Sequence, residues 1–278
     1  MFITLSESRN EKLLLEWSGE ITDRHAQDFC NVCNAVFTDH FDLEYMHRKY
    51  DENIYGKSFI VVVYKDEKPI AAWGAWRNDL NGRTAFQLCD FVTLPEARKG
   101  GYIVDMHYCI HEEIGKLYSQ AITYGFPGEM AWRVAIAQGN AVEPLYVRIY
   151  HGITKDFTEN VPFIDDTYVE NWLVKNKNAR IIRLRGRYYF VIQGAMKGLI
   201  PYSIILGEIS SKYKDSFKRA VRFRPLLYRS RKPGILGGWK AAHVSKYDMA
   251  THTQDSENMP PLYTADTNTL HFNGVNKH

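Results

Sequence analysis

The feature that most constrains the fold is a glycine turn that joins an apolar stretch to an amphipathic one. The turn, Leu94–Gly101, reads LPEARKGG, follows the apolar run Phe86–Leu94 and precedes the amphipathic run Tyr102–Leu117. This order predicts a strand, a tight basic turn and a helix. The first N–H groups of such a helix have no intrahelical partner and lie at the positive end of its dipole. The junction is therefore predicted either to hold an anion such as a phosphate or to be a plain strand-to-helix turn.

The residues around the turn predict an α/β fold with a mixed central sheet flanked by helices. Apolar runs bounded by polar turns predict the strands, and apolar residues at helical spacing predict the helices. The expected strands are Ser58–Tyr64, Pro69–Trp76, Thr84–Leu94, Ala121–Phe126 and Val142–Tyr150, and the expected helices are Asp23–Phe37, Leu43–Tyr50, Tyr102–Leu117 and Glu129–Gln138.

The helix after the turn is expected to lie on the sheet with one apolar stripe. The stripe consists of Ile103, Met106, Ile110, Ile114 and Leu117, and the opposite, outer face carries His107, His111, Glu112 and Lys116. The two histidines stand at i and i+4 but lack the order of a metalloprotease motif, so a solvated face is favoured over a metal site.

Two modules and a polar arm are expected along the chain. The first module spans residues 1–155, and a second, smaller α/β module spans 163–245, with a helix near Tyr168–Val174 and strands at Arg180–Leu184, Arg187–Ile192 and Tyr202–Leu206. A faint similarity between the openings of the two modules leaves a duplication open. Residues 246–278 are polar and contain Pro260-Pro261, which predicts an extended or mobile arm.

Composition limits the class of protein. The chain has 278 residues, 45% of them hydrophobic, and a net charge of only +3, which predicts a globular protein without an overall nucleic-acid-like charge. No apolar run is long enough to span a bilayer, and the N-terminal residues lack a signal-peptide pattern. Four cysteines in so long a chain do not form a disulfide framework, so a cytoplasmic location is expected.

At the glycine turn the sequence resembles the Gcn5-related N-acetyltransferase (GNAT) superfamily. The acetyl-CoA motif of that family, Arg/Gln-x-x-Gly-x-Gly/Ala, is matched by residues 98–103, RKGGYI, except that Ile103 stands in the last position. Support comes from Pro95, from Tyr124-Gly125-Phe126-Pro127 at the next strand end, and from Phe41–Gly56. The last region, with its Lys49-Tyr50 pair, resembles a stretch of acetyltransferases from bacterial surface-polysaccharide clusters.

The resemblance implies acetyl-CoA, or another acyl-CoA, as cosubstrate and no metal. It implies that Gly101 and its neighbouring amides hold the CoA pyrophosphate, helped by the charges of Arg98 and Lys99. The backbone near Phe91 and Val92 is then expected to pair with the pantetheine arm as an added strand does. Ile103 narrows this cradle unless Gly100 compensates, and a cradle closed by Ile103 makes a noncatalytic, degenerate GNAT protein the alternative.

The implied reaction is acyl transfer to an amine, for which a base and an acid are needed. The acceptor is expected to be an amine-bearing small molecule or a nucleotide-linked sugar, such as an amino sugar. Asp90 on the central strand is the candidate base. The helix that often carries a tyrosine acid in the family has none here, so Tyr146 is taken as the candidate acid, ahead of Tyr124 and Tyr150.

Two further patterns remain open. The segment Lys212–Lys240 mixes cations with aromatic residues, which suits a solvated basic face, a phosphorylated acceptor or nucleic acid. Nucleic-acid binding or modification on a GNAT scaffold is therefore an alternative function. Cys30 and Cys33 have metal-ligand spacing, but no second such pair follows and both fall within an apolar helix, so zinc is disfavoured.

Overall fold

The structure is a computed structural model whose described part divides into two compact units. It describes residues 2–37, 41–51, 53–80, 82–127, 131–150, 157, 161–175, 178–196, 200–216, 224–230 and 238–249. The first unit consists of Met1–Asp79, Arg83–Gly125 and a short segment that begins at Tyr247, and the second is chiefly Phe126–Lys246.

The first unit is a mixed sheet of six strands whose spatial order follows the chain. The strands are β1 (Phe2–Ser6), β2 (Glu11–Trp17), β3 (Phe59–Lys65), β4 (Lys68–Arg77), β5 (Ala85–Thr93) and β6 (Ile122–Gly125). Neighbouring strands are antiparallel except β5 and β6, which are parallel. A parallel pair needs a crossover connection, and the glycine turn with its helix supplies it.

Three helical segments pack on this sheet. They are α1 (Asp23–Val36), α2 (Leu43–Met46), which continues as a π turn over His47–Asp51, and α3 (Tyr102–Leu117), which follows a 3-10 turn over Pro95–Gly100. The helix α1 begins at the N-cap Thr22, whose hydroxyl accepts from the His25 N–H, and α2 begins at Asp42, whose carboxylate accepts from the Tyr45 N–H.

The core of the first unit lies on both faces of β3. Phe59, Val61 and Val63 pack with residues of α3, and the alternate residues Ile60 and Val62 are also fully buried, on the face against which α1 lies. Because helices cover both faces, this strand reads as a continuous apolar run rather than an alternating one.

In its described residues the second unit has two helices with defined bounds and a second mixed set of strands. The helices are α4 (Ala131–Ala137) and α5 (Asp166–Lys175), and a 3-10 turn spans Ser211–Ser216. The strands are β7 (Ala141–Ile149), β8 (Ala179–Leu184), β9 (Arg187–Met196), β10 (Ile200–Ile209), β11 (Leu226–Ser230) and β12 (Gly238–Asp248), in the spatial order β12-β7-β11-β10-β9-β8. Only β10 and β11 are parallel among these neighbours in the described residues.

The predicted α/β class and its elements are confirmed, and four strands were not predicted: β1, β2, β11 and β12. The compact units also divide after Gly125, whereas the predicted first module runs to residue 155. The difference is α4 and β7, because β7 pairs with β11 and β12 and so belongs with the later strands.

Two predicted surface or core positions were wrong, and the start of the predicted arm also differs from the structure. Leu117 is 59% exposed rather than part of the buried stripe, because it is the last residue of α3. His107, expected on the outer face, is only 5% exposed because it packs beside Trp73. The predicted arm does not begin at residue 246, because β12 continues to Asp248 and Met249 is buried in the first unit. The rest of the predicted arm, 250–278, lies outside the described residues.

No helix in the described part of the chain is long and apolar enough to cross a membrane. None of the four cysteines, all of which lie in the described residues, forms a disulfide.

Candidate functional site

The candidate site begins where the two parallel strands part. β5 and β6 pair from Ala85 with Ile122 to Leu88 with Gly125, where β6 ends. β5 continues to Thr93. Within the described residues, the part of β5 beyond Leu88 therefore has no partner in β6. An open strand edge of this kind can receive an extended ligand through its backbone groups.

The backbone of β5 is bulged at this edge. Gly74 on β4 pairs with Cys89 and Ala72 pairs with Val92, so two residues, Asp90 and Phe91, face the single residue Trp73. Asp90 adopts a left-handed backbone with φ of 55°. This is a β-bulge, a feature that bends a strand and re-aims its groups next to functional sites.

Alternation shows which backbone groups reach the open edge. The Leu94 N–H donates to the Ile70 carbonyl at 2.9 Å, so by alternation the backbone groups of Val92, two residues earlier on β5, are also directed to β4. Phe91 and Thr93 consequently turn their backbone groups to the edge away from β4. Of the two residues predicted to pair with a pantetheine arm, Phe91 has the required direction, whereas the backbone of Val92 is directed to β4.

The side chain of Asp90 is held by a buried polar cluster. Its Oδ2 accepts from Tyr50 Oη at 2.7 Å, from Lys49 Nζ at 2.9 Å and from Tyr45 Oη at 3.3 Å. The Lys49 and Asp90 side chains are only 7% and 4% exposed. All three donors come from the segment of α2 and its π turn, which therefore lies against the bulge.

Aromatic rings surround the cation of this cluster. Lys49 Nζ lies 5.3 to 5.7 Å from the ring centroids of Tyr45, Tyr50 and Trp76. Such cation–π contacts stabilise a desolvated ammonium group. Burial raises the pKa of Tyr50 well above its usual range, so this phenol stays a hydrogen-bond donor to Asp90.

The structure requires glycine at positions 100 and 101 of the turn for different reasons. Gly101 has a φ of 76°, is exposed, and would place a Cβ in open space. A Cβ at Gly100 would overlap the ring of Tyr102, whose hydroxyl donates to Glu11 Oε1 at 2.6 Å. Gly100 therefore serves packing within the protein, and Gly101 is the one that leaves room above the helix.

The residues around Gly101 fit an anion at the start of α3. The helix begins at Gly101 without a side-chain cap, and Arg98 and Lys99 are exposed in the last turn before it. An uncapped helix N-terminus with nearby cations attracts anionic groups. Ile103 is half-buried and packs against the core of the first unit, which accounts for its branched side chain. These features fit the CoA pyrophosphate that the resemblance implies.

The predicted acid Tyr146 lies in the second unit, on β7, where it is half-buried and pairs through its backbone with Ser230 and Lys240. The other two phenols have structural contacts: Tyr124 is buried and bonds the Asn78 side chain at 2.7 Å, and Tyr150 packs on Phe157.

The described part of the basic segment serves mainly the second unit. Lys212 forms ion pairs with Asp166 and Glu170, Tyr228 lies in the core, and Arg229 is buried beside Phe126. These residues are not arranged as an exposed stacking surface for bases. Of the other cations, Lys214 is exposed and Arg224 is half-buried, whereas Lys218, Arg219, Arg222, Arg231 and Lys232 lie outside the described residues.

The cysteine pair has the character of core residues. Cys30 and Cys33 are buried in α1, and burial raises the pKa of Cys30 to about 11 and that of Cys33 well above its usual range. Across the described ranges, no group of three or more His, Cys, Asp or Glu side chains is placed to hold a metal ion.

The candidates Asp90 and Phe91 lie on β5, and the candidate glycine turn follows that strand. Tyr45, Lys49 and Tyr50 were not assigned to the site from the sequence. The available signal was Asp90 itself. An acidic residue within an otherwise apolar buried strand requires a cation and hydrogen-bond donors, and Lys49-Tyr50 stands before the hairpin that leads to that strand.

The fold resembles that of solved acetyltransferases. A GCN5-related N-acetyltransferase from Kribbella flavida is 12% identical with a TM-score of 0.53, covering 88% of this chain and 73% of that chain. One from Anabaena variabilis is 10% identical with a TM-score of 0.51, covering 85% and 73%. A conserved protein of unknown function from Enterococcus faecalis is 11% identical with a TM-score of 0.52, covering 86% and 73%.

No family model and no curated protein matches the sequence. At these identities the similarity shows a shared fold, the acyl-CoA N-acyltransferase fold.

Proposed function

We propose that the protein is an acyl-CoA-dependent N-acyltransferase that moves an acetyl group to an amine. The observation that carries this proposal is the parting of β5 and β6 after Leu88 and Gly125, next to the bulge at Asp90. The same strand leads directly into the uncapped helix N-terminus at Gly101. One strand thus offers a backbone edge for an extended arm and, at its end, a site for the phosphates of the same molecule.

The chemistry is direct attack of a neutral amine on the thioester carbonyl. A C–N bond forms, the C–S bond breaks, the amine proton passes to a base, and the departing CoA sulfur takes up a proton from an acid. A backbone N–H directed at the carbonyl oxygen stabilises the negative charge that develops there. We assign this alignment to the Phe91 edge of the bulge.

The anion site is tested with two matched glycine variants. Gly101→Glu places a carboxylate beside the expected pyrophosphate and should reduce acetyl-CoA affinity at least about 100-fold, as measured by calorimetry. Gly19→Glu is the control, because Gly19 also has a left-handed backbone, with φ of 81°, is exposed and opens into free space in the same unit. Both variants carry the same backbone strain.

Equal affinities in wild type and Gly101→Glu would remove the phosphate assignment. Equal losses in the two glutamate variants would mean that strain, not charge, causes the effect. No acetyl-CoA binding by the wild-type protein would favour the alternative of a noncatalytic protein with this fold.

The acid is proposed to be Tyr146. Tyr146→Phe should lower kcat for transfer about 100-fold and leave acetyl-CoA affinity unchanged, because only the proton donor is lost. A kcat within a factor of about two of wild type would exclude this role.

The acceptor is proposed to be the amine of an amino sugar or a nucleotide-linked sugar, on the resemblance of Phe41–Gly56 alone. Assays of the wild-type protein against a panel of amino sugars, polyamines and peptides, with free CoA as the product measured, test this class. Transfer only to peptides or polyamines would contradict it.

A further inference from the structure

We propose that Lys49 is a positioning residue for acyl transfer: its buried ion pair with Asp90 holds the bulge of β5 in shape. The catalytic consequence rests on the proposed function, whereas the structural role does not. Lys49 acts through Asp90 and the backbone, without contact to the substrate.

The bulge needs a restraint because of its backbone. Asp90 has φ of 55°, a left-handed conformation that non-glycine residues rarely adopt. Aspartate is among the residue types that adopt this conformation most readily. Hydrogen bonds to its carboxylate can therefore hold Asp90 in this conformation, which an aspartate without those bonds would leave.

The cluster is built to hold that carboxylate. Lys49 and Asp90 lie 2.9 Å apart and almost without solvent, which has a desolvation cost that good geometry and further hydrogen bonds must offset. Tyr45 and Tyr50 supply those bonds. Lys49 Nζ also donates to Tyr45 Oη at 2.8 Å, so cation, phenols and carboxylate form one network.

The strand opposite the bulge is shaped for the same network. A Cβ at Gly74 on β4 would overlap the hydroxyl of Tyr50, so only glycine lets that ring reach Asp90. Gly74 is also the residue that pairs with Cys89, at the start of the bulge. The Tyr50 ring thus occupies the space that a side chain at Gly74 would fill, beside the backbone that it restrains.

The exposed part of Asp90 is its backbone, not its carboxylate. The residue as a whole is partly exposed while its side chain is only 4% exposed. A general base must contact its substrate, whereas a carboxylate that only holds the backbone in shape does not need to. The geometry therefore favours a positioning role for Asp90 over the predicted role as base, and a water relay is left to take the amine proton.

The test compares two double variants that differ by one methyl group. Lys49→Met/Asp90→Ala removes the ion pair and leaves a residue that disfavours a positive φ. Lys49→Met/Asp90→Gly removes the same groups but leaves a residue that adopts a positive φ freely. Both avoid the unpaired buried charge that either single variant would leave.

Two measurements are made on each variant. Crystal structures and amide hydrogen exchange at Val92, whose backbone is directed to β4, report the backbone, and initial rates report kcat and the KM for acetyl-CoA. We expect the alanine variant to lose the left-handed backbone and exchange faster at Val92, with kcat about 10- to 100-fold lower and KM little changed. The glycine variant should keep the bulge and recover most of kcat.

Lys12→Met/Glu67→Gln is the control, because Lys12 and Glu67 form a more exposed ion pair in the same unit. It should leave backbone and rates unchanged. An alanine variant that keeps the wild-type bulge would overturn the proposal. A glycine variant that keeps the bulge but stays as inactive as the alanine variant would instead place Lys49 or Asp90 in the chemistry. Absence of acetyl-CoA binding in the wild type would refute the proposed function, and the backbone measurements would still decide the restraint.

Discussion

At the scale of single residues, two adjacent glycines can be required for different physical reasons. Gly100 and Gly101 read as one glycine turn, yet only Gly101 has a left-handed backbone, and only Gly100 is required by a neighbouring ring. A sequence shows that glycine is present, but the contact that requires it comes from the fold.

This difference predicts opposite results for two alanine substitutions next to and within α3. Gly100→Ala should lower the free energy of unfolding by about 1–3 kcal/mol, because the Tyr102 ring must move and its bond to Glu11 is strained. Gly115→Ala should raise it by about 0.5–1 kcal/mol, because Gly115 lies in α3 with open space where a Cβ would stand. Urea unfolding of both variants provides the measurement, and a loss for Gly115→Ala would contradict the packing described for α3.

The residue scale also limits what could be predicted about the site. Asp90 was recognised from its place in an apolar strand, but its donors Lys49 and Tyr50 lie about 40 residues earlier, and the left-handed φ of Asp90 has no signal in the sequence. Local patterns show that a buried acid needs partners and leave open which ones the chain topology brings to it.

At the scale of elements, α3 was predicted with its correct bounds but with two errors in its faces. The glycine turn and the apolar period fix where the helix begins and which stripe is buried. They do not show how much of the helix surface beside that stripe is also buried. His107 is buried because Trp73 and the His111 ring pack against it, with ring centroids 6.1 and 3.8 Å away.

This buried histidine pair predicts a stability that falls in mild acid. Burial lowers the pKa of His107 to about 4 and that of His111 well below 6.5, with the neighbouring His107 also lowering the latter. Below pH 6.5 the unfolded chain therefore binds protons that the folded chain does not. The free energy of unfolding should fall between pH 6.5 and about 4, by about 1.4 kcal/mol per pH unit for each group.

His107→Leu tests this origin of the acid sensitivity. Its Nε2 is buried and has no hydrogen-bond partner among the described residues, so the variant should be about 1 kcal/mol more stable at neutral pH and lose part of the acid slope. His47→Gln is the control with the opposite sign, because a hydrogen bond to Asp51 raises the pKa of His47. Denaturant unfolding from pH 7 to 4 gives both values, and an unchanged slope in His107→Leu would place the sensitivity elsewhere.

At the scale of the whole molecule, the first unit is not continuous in the chain. Most of it ends at Gly125, yet it also includes the segment that begins at Tyr247. There the Met249 N–H donates to the Ala121 carbonyl, and Asp248 pairs with Arg83 at 2.6 Å. This return could not be predicted, because three residues of modest apolar content, Tyr247–Met249, within a polar stretch indicate an arm rather than a core segment.

Because the segment that begins at Tyr247 belongs to the first unit, a substitution near the end of the described chain should destabilise that unit. Met249 is buried in the same cluster as Met106, Ile110 and Ile114 of α3, so Met249→Ala should lower the free energy of unfolding by about 2–4 kcal/mol. The protection of the β6 amides against hydrogen exchange should fall by a corresponding amount, because the Ala121 carbonyl beside that strand accepts from Met249. Leu117→Ala is the matched control, since Leu117 is an exposed residue of α3 and its loss should change stability by less than about 0.5 kcal/mol. Equal effects of the two variants, or a loss of protection confined to the second unit, would contradict the assignment of Met249 to the core of the first unit.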